Sequence, residues 1–570
     1  MRTNRKTEEK KMGMSKNIAR LAVTAGLTAA LSFGGVMAPV TMAFAAEANG
    51  SVTIENVKGN TTEFQGYQIF KADVDSGKVA NITWANDRVE KAVKGVIEKE
   101  DKSYAGKTAQ DAADWITNKV TGTNETTCVA HDNIAYKIAD AVDGLTPSAT
   151  TTSKTASGLA YGYWLFVTKT DTIGVGEAGT SPIFTVVGNT PVKITEKTGI
   201  PTVEKKIVSD ADSKEHDAAD SQIGQDVTYN LYGTVAENFD KYDTYFYQFS
   251  DKISKGLTLQ KGAKVYLYKN RTDAKGDLAR AKGTDITAYF KEETPAEAAE
   301  DGSKTTTWTC DNLKKVSGVT KDSYIVVSYK AQINKDAVVA GTEGNENTVT
   351  LNYSNNPMTS ERGETQPDTV KDYTYGLKIN KVDLGTEAAL DGAEFTIQAT
   401  GADDGASKSL YVQKDGSLGS DPWKFVTANG GVIKVTGLDA GTYTVTEVSA
   451  PSGYAKVDPF TFEIKPSMNA DDPGAGLTKL TGVLTTDQND KVIAGLTDGD
   501  SGDNKLALKP DSEKTDGIFN ITVGDTKQVG LPLTGLNGVT FTWIAGGAVL
   551  CIGVAHLIRS RRQAEESEQE

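Results

Sequence analysis

Residues 377–383 read Leu377-Lys-Ile-Asn-Lys381-Val-Asp383, and residues 519–525 read Phe519-Asn-Ile-Thr-Val-Gly-Asp525. Apolar residues recur at every second position, the period at which strand side chains share one face. Leu377, Ile379 and Lys381 therefore lie together, as do Phe519, Ile521, Val523 and Asp525. In Tyr443-Thr-Val-Thr-Glu447, Glu447 joins Tyr443 and Val445. A lysine and two carboxylates thus end three apolar faces within one stretch of chain. Buried without partners, such charges are costly.

Covalent chemistry removes that cost. Burial lowers a lysine pKa and raises a carboxylate pKa. A neutral Lys381 amine can then attack the side-chain carbonyl of Asp525 while protonated Glu447 polarises it, giving an intramolecular isopeptide bond. Asn520, on the opposite face, is the fallback acceptor. The same parity recurs upstream. Lys205 shares a face with Val203 and Ile207, Asn347 with Val349, Leu351 and Tyr353, and Asp251 with Tyr245, Tyr247 and Phe249. Lys206 and Asp243 are the alternatives in that set.

Around these strands the sequence is rich in Gly, Thr and Val with few long helical periods, which favours β modules. The expected fold is mainly β and elongated: an α+β N-terminal domain followed by two immunoglobulin-like sandwiches. Its domains are expected at 46–197, 198–370 and 371–527. Helical spacing is confined to 87–99 and 108–119, the latter through Ala112, Trp115, Ile116 and Val120. Asn355-Asn356-Pro357 ends the middle module, and 359–369 reads as a polar connector.

Both ends read as processing segments. Seven basic residues within 2–20 precede an apolar region from Leu21, and Ala43-Phe-Ala45 offers a signal-peptidase site, so 1–45 is expected to be a signal peptide. Leu531-Pro532-Leu533-Thr534-Gly535 precedes an apolar run over 539–558 and then Arg559, Arg561 and Arg562. A run of that length spans a bilayer, and the arginines stop translocation. Removing both ends takes away 10 of 61 basic and 6 of 76 acidic residues, leaving 51 against 70, a net charge of −19. That balance argues against nucleic acid as a partner. Cys551 lies in the apolar run, leaving Cys128 and Cys310 as the possible disulfide.

Enzyme signatures are lacking. The three histidines have no metal spacing, and neither a nucleophile elbow nor a phosphate loop is present. Gly174-Val-Gly176-Glu-Ala-Gly179 matches a dinucleotide fingerprint as a string, but it precedes a β-like run and reads as a hairpin loop. No cofactor or metal is expected.

The 528–570 segment resembles the sorting signal of Gram-positive surface proteins, in which a sortase thiolate attacks the bond between Thr534 and Gly535. Lys381-Val-Asp383, Leu390-Asp-Gly-Ala-Glu-Phe395 and Tyr443…Glu447…Pro451-Ser-Gly-Tyr454 resemble the collagen-adhesin B-type domain, whose usual acceptor is Asn where this chain has Asp525. Pro201-Thr-Val-Glu-Lys205 resembles the first strand of the middle domain of major pilins. Together these resemble the major backbone pilin of sortase-assembled fimbriae. That resemblance implies a secreted protein covalently attached to the cell wall, its precursor transiently held in the membrane. It implies as partners a pilin-class and a housekeeping sortase, copies of itself, minor tip and base pilins, peptidoglycan and a host surface ligand. It also implies an acceptor lysine at the end of the first domain, placed at Lys197 with Lys193 second. The alternative is a monomeric wall-anchored adhesin.

Overall fold

The computed structural model describes residues 49–55, 61–75, 78–119, 133–152, 154–195, 199–339, 343–402, 409–469, 476–485, 492–496, 501–502, 505–507 and 518–528. The signal peptide, Cys128, Lys197, the 531–535 pentapeptide and the apolar run 539–558 lie outside the described residues. Among those described, no helix is long and apolar enough to cross a membrane, and Cys310 is buried without a disulfide partner.

The N-terminal domain is built on a five-stranded sheet in which Glu63–Asp75 and Gly162–Lys169 pair antiparallel at the centre. Seven consecutive residues of Gly162–Lys169 are buried, because both faces of this sheet are covered. Tyr163, Leu165 and Val167 meet three helices, Asp87–Glu100, Ala109–Lys119 and Ile134–Asp143. Trp164 and Phe166 meet a three-stranded sheet in which Gly50–Glu55 runs between Thr155–Leu159 and Val192–Thr195. The first helix follows from its sequence: Asn86 accepts from the backbone N–H groups of Arg88 and Val89, and Val89, Val93 and Ile97 form its buried stripe. The third helix was not anticipated. Ile134, Ala135, Tyr136, Ile138, Ala139 and Val142 are buried while Asp140 and Asp143 are exposed, so the helical period is present in the sequence but runs over only ten residues.

The middle domain is a sandwich of two seven-stranded sheets. Val203–Val208 lies beside Asp226–Thr234 in one sheet. In the other, Tyr247–Ile253 pairs with Asn345–Ser354. Aromatic residues dominate the space between them, with Tyr229, Phe249, Trp308 and Tyr329 buried there. One expectation is corrected. The stretch 359–369, expected to be a connector, holds the strand Arg362–Glu364 and the start of Asp368–Tyr373, and both strands belong to the middle domain's second sheet. Asp368–Tyr373 carries Val370 and Asp372 inward, and its polar composition disguised it. The chain crosses into the next domain at Thr374, whose hydroxyl donates to the Leu438 carbonyl at 3.1 Å.

In the C-terminal domain the first and last strands, Tyr375–Asp383 and Ile518–Lys527, run parallel, with Leu377 opposite Phe519, Ile379 opposite Ile521 and Asp383 opposite Asp525. A nine-stranded sheet containing Glu394–Ala402 and Gly441–Ser449 closes the core from the other side.

Hydrogen-bonded turns join the domains. Ile223 N–H donates to the Gly437 carbonyl at 2.9 Å. The Gln222 side-chain oxygen accepts from Asp439 N–H at 3.1 Å. Gly437 has φ +87°, and a Cβ there would run into the Ile223 side chain, so the close approach needs glycine. At the other junction, Gly176 N–H donates to Glu364 O at 2.9 Å and Gly179 N–H to Asn355 O at 2.6 Å. The Tyr353 hydroxyl reaches Glu177 O at 3.1 Å. The fingerprint-like string is thus a turn between two paired strands that docks onto the middle domain.

Glu177 holds that turn in shape. Burial alone would raise its pKa. However, its carboxylate accepts from both the hydroxyls and the backbone N–H groups of Thr61 and Thr62 and from Gly174 N–H, which brings it down to about 2. A lowered carboxylate pKa stabilises the fold fully above the ordinary value of 4.5 and progressively less as pH falls toward 2. The N-terminal domain should therefore lose melting temperature over that window, measured by differential scanning calorimetry. Glu177→Gln should flatten the dependence, and equal slopes in the two proteins would assign it elsewhere.

Candidate functional site

Two sealed clusters stand out, because Lys205 and Lys381 are the only fully buried lysines among the described residues. Each sits where strand parity turns a lysine inward after apolar neighbours.

In the C-terminal domain, Lys381 and Asp525 come from the parallel first and last strands of one sheet, and Glu447 from the facing sheet, where it lies opposite Phe395. Lys381 Nζ contacts Asp525 Oδ1 and lies 3.1 Å from Glu447 Oε1 and 3.2 Å from Oε2. All three residues are at most 1% exposed. Burial raises the Glu447 pKa, reinforced by the charge of Asp525, although Val457 N–H donates to its Oε2 at 2.8 Å and Lys381 stands beside it. A raised pKa favours the protonated acid that activation of a carbonyl requires. Asn520 points to the other face of its strand, opposite Lys378, and does not join the cluster.

In the middle domain the lysine and its partners face each other across the sandwich. Lys205 Nζ contacts Asp251 Oδ1 and lies 2.5 Å from Asn347 Oδ1 and 3.0 Å from the Tyr329 hydroxyl. Asn347 and Asp251 sit diagonally on adjacent strands, since Ile253 pairs with Asn347 and Asp251 with Val349. Lys205 N–H also donates to Asp368 Oδ2 at 2.6 Å, which fixes the backbone of its strand. Burial lowers the Lys205 pKa to about 8 against the opposing pull of Asp251, so a neutral amine is populated near neutrality. The two alternatives fall elsewhere. Lys206 faces outward to Asp217 at 2.6 Å and Glu204 at 3.5 Å, and Asp243 is exposed ahead of the Tyr247–Ile253 strand.

Tyr329 was not singled out from the sequence. It is fully surrounded: its hydroxyl donates to Asp251 Oδ2 at 2.5 Å and accepts from Asn347 Nδ2 at 2.7 Å. Its ring stacks on Tyr229 at 5.5 Å and tilts against Trp308 at 5.2 Å. The available signal was a tyrosine on the inward parity of Tyr324–Ile333, among Ile325, Val327, Ala331 and Ile333. A buried phenol there needs a polar partner.

Of the remaining sequence candidates, Lys193 is described. It lies on Val192–Thr195, parallel to Gly50–Glu55. Its side chain is 76% exposed and 3.6 Å from Glu55. Among the described residues no group of His, Cys, Asp and Glu is arranged to hold a metal ion.

Comparison with known proteins gives family matches for the middle and C-terminal domains. Residues 223–357 match the family of the Gram-positive pilin backbone subunit 2, Cna-B-like domain, and residues 375–472 match the SpaA prealbumin-like fold domain. The middle domain is therefore a Gram-positive pilin backbone domain, and the chain that carries it is a structural pilus subunit. Solved structures similar to this chain include a three-domain backbone pilin of Streptococcus pyogenes (16% identity, 84% of this chain and 98% of that one, TM-score 0.47). The full-length major pilin SpaD of Corynebacterium diphtheriae is another (18% identity, 84% and 98%, TM-score 0.44), as is the major pilin SpaA of the same organism (13% identity, 84% and 100%, TM-score 0.44). Curated proteins give no match.

Both clusters are arranged for condensation. Attack of Lys381 on Asp525 expels water, about 18 Da, and attack of Lys205 on Asn347 expels ammonia, about 17 Da. The intact mass of residues 46–534 should fall by both, and Glu447→Ala should restore the first loss alone. Lys205→Ala and Lys381→Ala should each lower the melting temperature of their own domain. The loops closed span 142 and 144 residues, where the chain-entropy account of cross-links gives about 5 kcal/mol each. An uncorrected wild-type mass would refute both bonds.

Proposed function

We propose that this chain is the major structural subunit of covalently polymerised surface fimbriae, assembled through its C-terminal pentapeptide and stiffened by two internal isopeptide bonds. The observation that carries this reading is the repeated trio, Lys205–Asn347–Asp251 and Lys381–Asp525–Glu447, sealed in two successive domains of a pilin-backbone chain. A soluble monomer has no evident need to bury two lysine side chains in adjacent sandwiches. A fibre subunit gains from having each sandwich tied shut.

Polymerisation then follows from the sequence of the two ends. A pilin-class sortase cleaves between Thr534 and Gly535 and passes the Thr534 carbonyl to a lysine of the next copy. Lys197 is the first candidate acceptor and Lys193 the second. A housekeeping sortase transfers the finished polymer to peptidoglycan. The exposure of Lys193 supports a solvent-open acceptor strand where the N-terminal domain, 46–197, meets the middle domain. Joining one end of a subunit to the opposite end of the next makes a heterologous contact that does not close on itself, so it propagates into a fibre.

Lys197→Arg is expected to abolish SDS-resistant ladders in cell-wall extracts while leaving a monomer attached to the wall, because attachment needs only Thr534. Ladders that persist in Lys197→Arg but vanish in Lys193→Arg would move the acceptor four residues upstream. Persistence in the double variant would refute this junction, and a single wild-type band would favour the monomeric adhesin.

A further inference from the structure

The two trios release different leaving groups, and only one of them has a phenol at its centre. Lys381 meets the carboxyls of Glu447 and Asp525, and its acceptor gives up water. Lys205 meets Asp251, Asn347 and the Tyr329 hydroxyl, and its acceptor gives up ammonia. An amide nitrogen is a poor leaving group until it carries a third proton, so the second reaction needs a proton delivered to Nδ2. The Tyr329 hydroxyl accepts from that nitrogen at 2.7 Å and donates to Asp251 Oδ2 at 2.5 Å. The other oxygen of the same carboxyl touches the attacking Nζ.

We propose that Tyr329 is a catalytic proton relay for the Lys205–Asn347 cross-link, passing to Asn347 Nδ2 the proton that Lys205 Nζ sheds to Asp251. This rests on the isopeptide reading given above. The Nζ–Cγ bond forms and the Cγ–Nδ2 bond breaks. Of the four protons on the neutral amine and the amide nitrogen, one stays on the new amide and three leave on ammonia. Asp251 takes one proton from Nζ and returns one to the phenol, and Tyr329 gives its own to Nδ2. Both relay groups end in their starting state, and no other reactant is required.

The surroundings suit that role. Burial and the neighbouring Asp251 hold the Tyr329 phenol well above its ordinary pKa, so it remains protonated until the leaving nitrogen draws the proton away. Stacking on Tyr229 and packing against Trp308 fix the ring. Lys205 Nζ lies 5.5 Å from its centroid, which leaves the hydroxyl as the group within hydrogen-bonding reach of Nζ, Asp251 and Nδ2.

The test is a time course of intact mass and tryptic mapping on residues 46–534, taken from early induction onward, for wild type, Tyr329→Phe, Asn347→Asp and the double variant. A relay predicts that Tyr329→Phe lengthens the half-time of the 17 Da loss at least tenfold, the lower end of general-acid effects being about a hundredfold. It also predicts that the double variant loses 18 Da almost as fast as Asn347→Asp, because an acid acceptor already carries the proton on its leaving oxygen. Slowing by the same factor with both acceptors would make Tyr329 a packing residue and overturn the proposal, as would an undelayed loss in Tyr329→Phe. Melting of Lys205→Ala against Lys205→Ala/Tyr329→Phe, where no bond can form, reads the packing cost separately. A wild-type chain that never loses 17 Da would instead overturn the cross-link itself. The 18 Da loss at Lys381 and Asp525 serves as the control for folding in every sample.

Discussion

A lysine side chain with no access to water is the constraint around which the two sandwich domains are arranged. An isolated buried ammonium costs several kcal/mol, and removing one partner from a buried ion pair leaves that cost uncompensated. Lys205 and Lys381 are each met by a carboxylate and an electrophilic side-chain carbonyl, supplied from strands more than 40 residues away in the chain. Folding must therefore be nearly complete before the charge is satisfied. The same completeness brings each lysine Nζ against its side-chain carbonyl, so the native topology would itself be the scaffold of the proposed condensation.

The two domains solve the problem with different geometry. In the C-terminal domain the lysine and its acceptor are neighbours in one sheet, and the assisting Glu447 approaches from the facing sheet. In the middle domain the lysine shares its sheet with Tyr329, and Asp251 and Asn347 both face it from the other. One bond would thus tie neighbouring strands side by side, and the other would rivet two sheets through the core.

Strand parity made much of this legible in advance. It placed Lys381, Asp525 and Glu447 on inward faces, and likewise Lys205, Asn347 and Asp251, because a period of two needs no knowledge of which strands are neighbours. What parity does not supply is the pairing. Tyr329 was hidden for that reason: its inward position was readable, but its contact with three other side chains depends on two sheets meeting. The helix Ile134–Asp143 was concealed by its shortness, since its ten residues carry an apolar face with Asp140 and Asp143 left exposed. The strand Asp368–Tyr373 was concealed by polar residues at the sheet's outer positions. The GVGEAG string shows the same limit: its place in a loop between two strands was readable, as their pairing bears out, whereas its docking onto Asn355 and Glu364 was not.

The N-terminal domain has, among its described residues, no lysine buried as Lys205 and Lys381 are. Its shape is held by the Glu177 carboxylate and by the turn that hydrogen-bonds to Asn355 and Glu364. If subunits are joined at Lys197 and Thr534, tension along the fibre enters after this domain and leaves beyond the third. The N-terminal domain then hangs beside the load path, and a fold secured by reversible hydrogen bonds suffices there. Within the path, the two proposed cross-links would carry the pull directly from Lys205 to Asn347 and from Lys381 to Asp525. The strands between them stay slack, and the fibre's stretch is confined to the short segments outside the two loops.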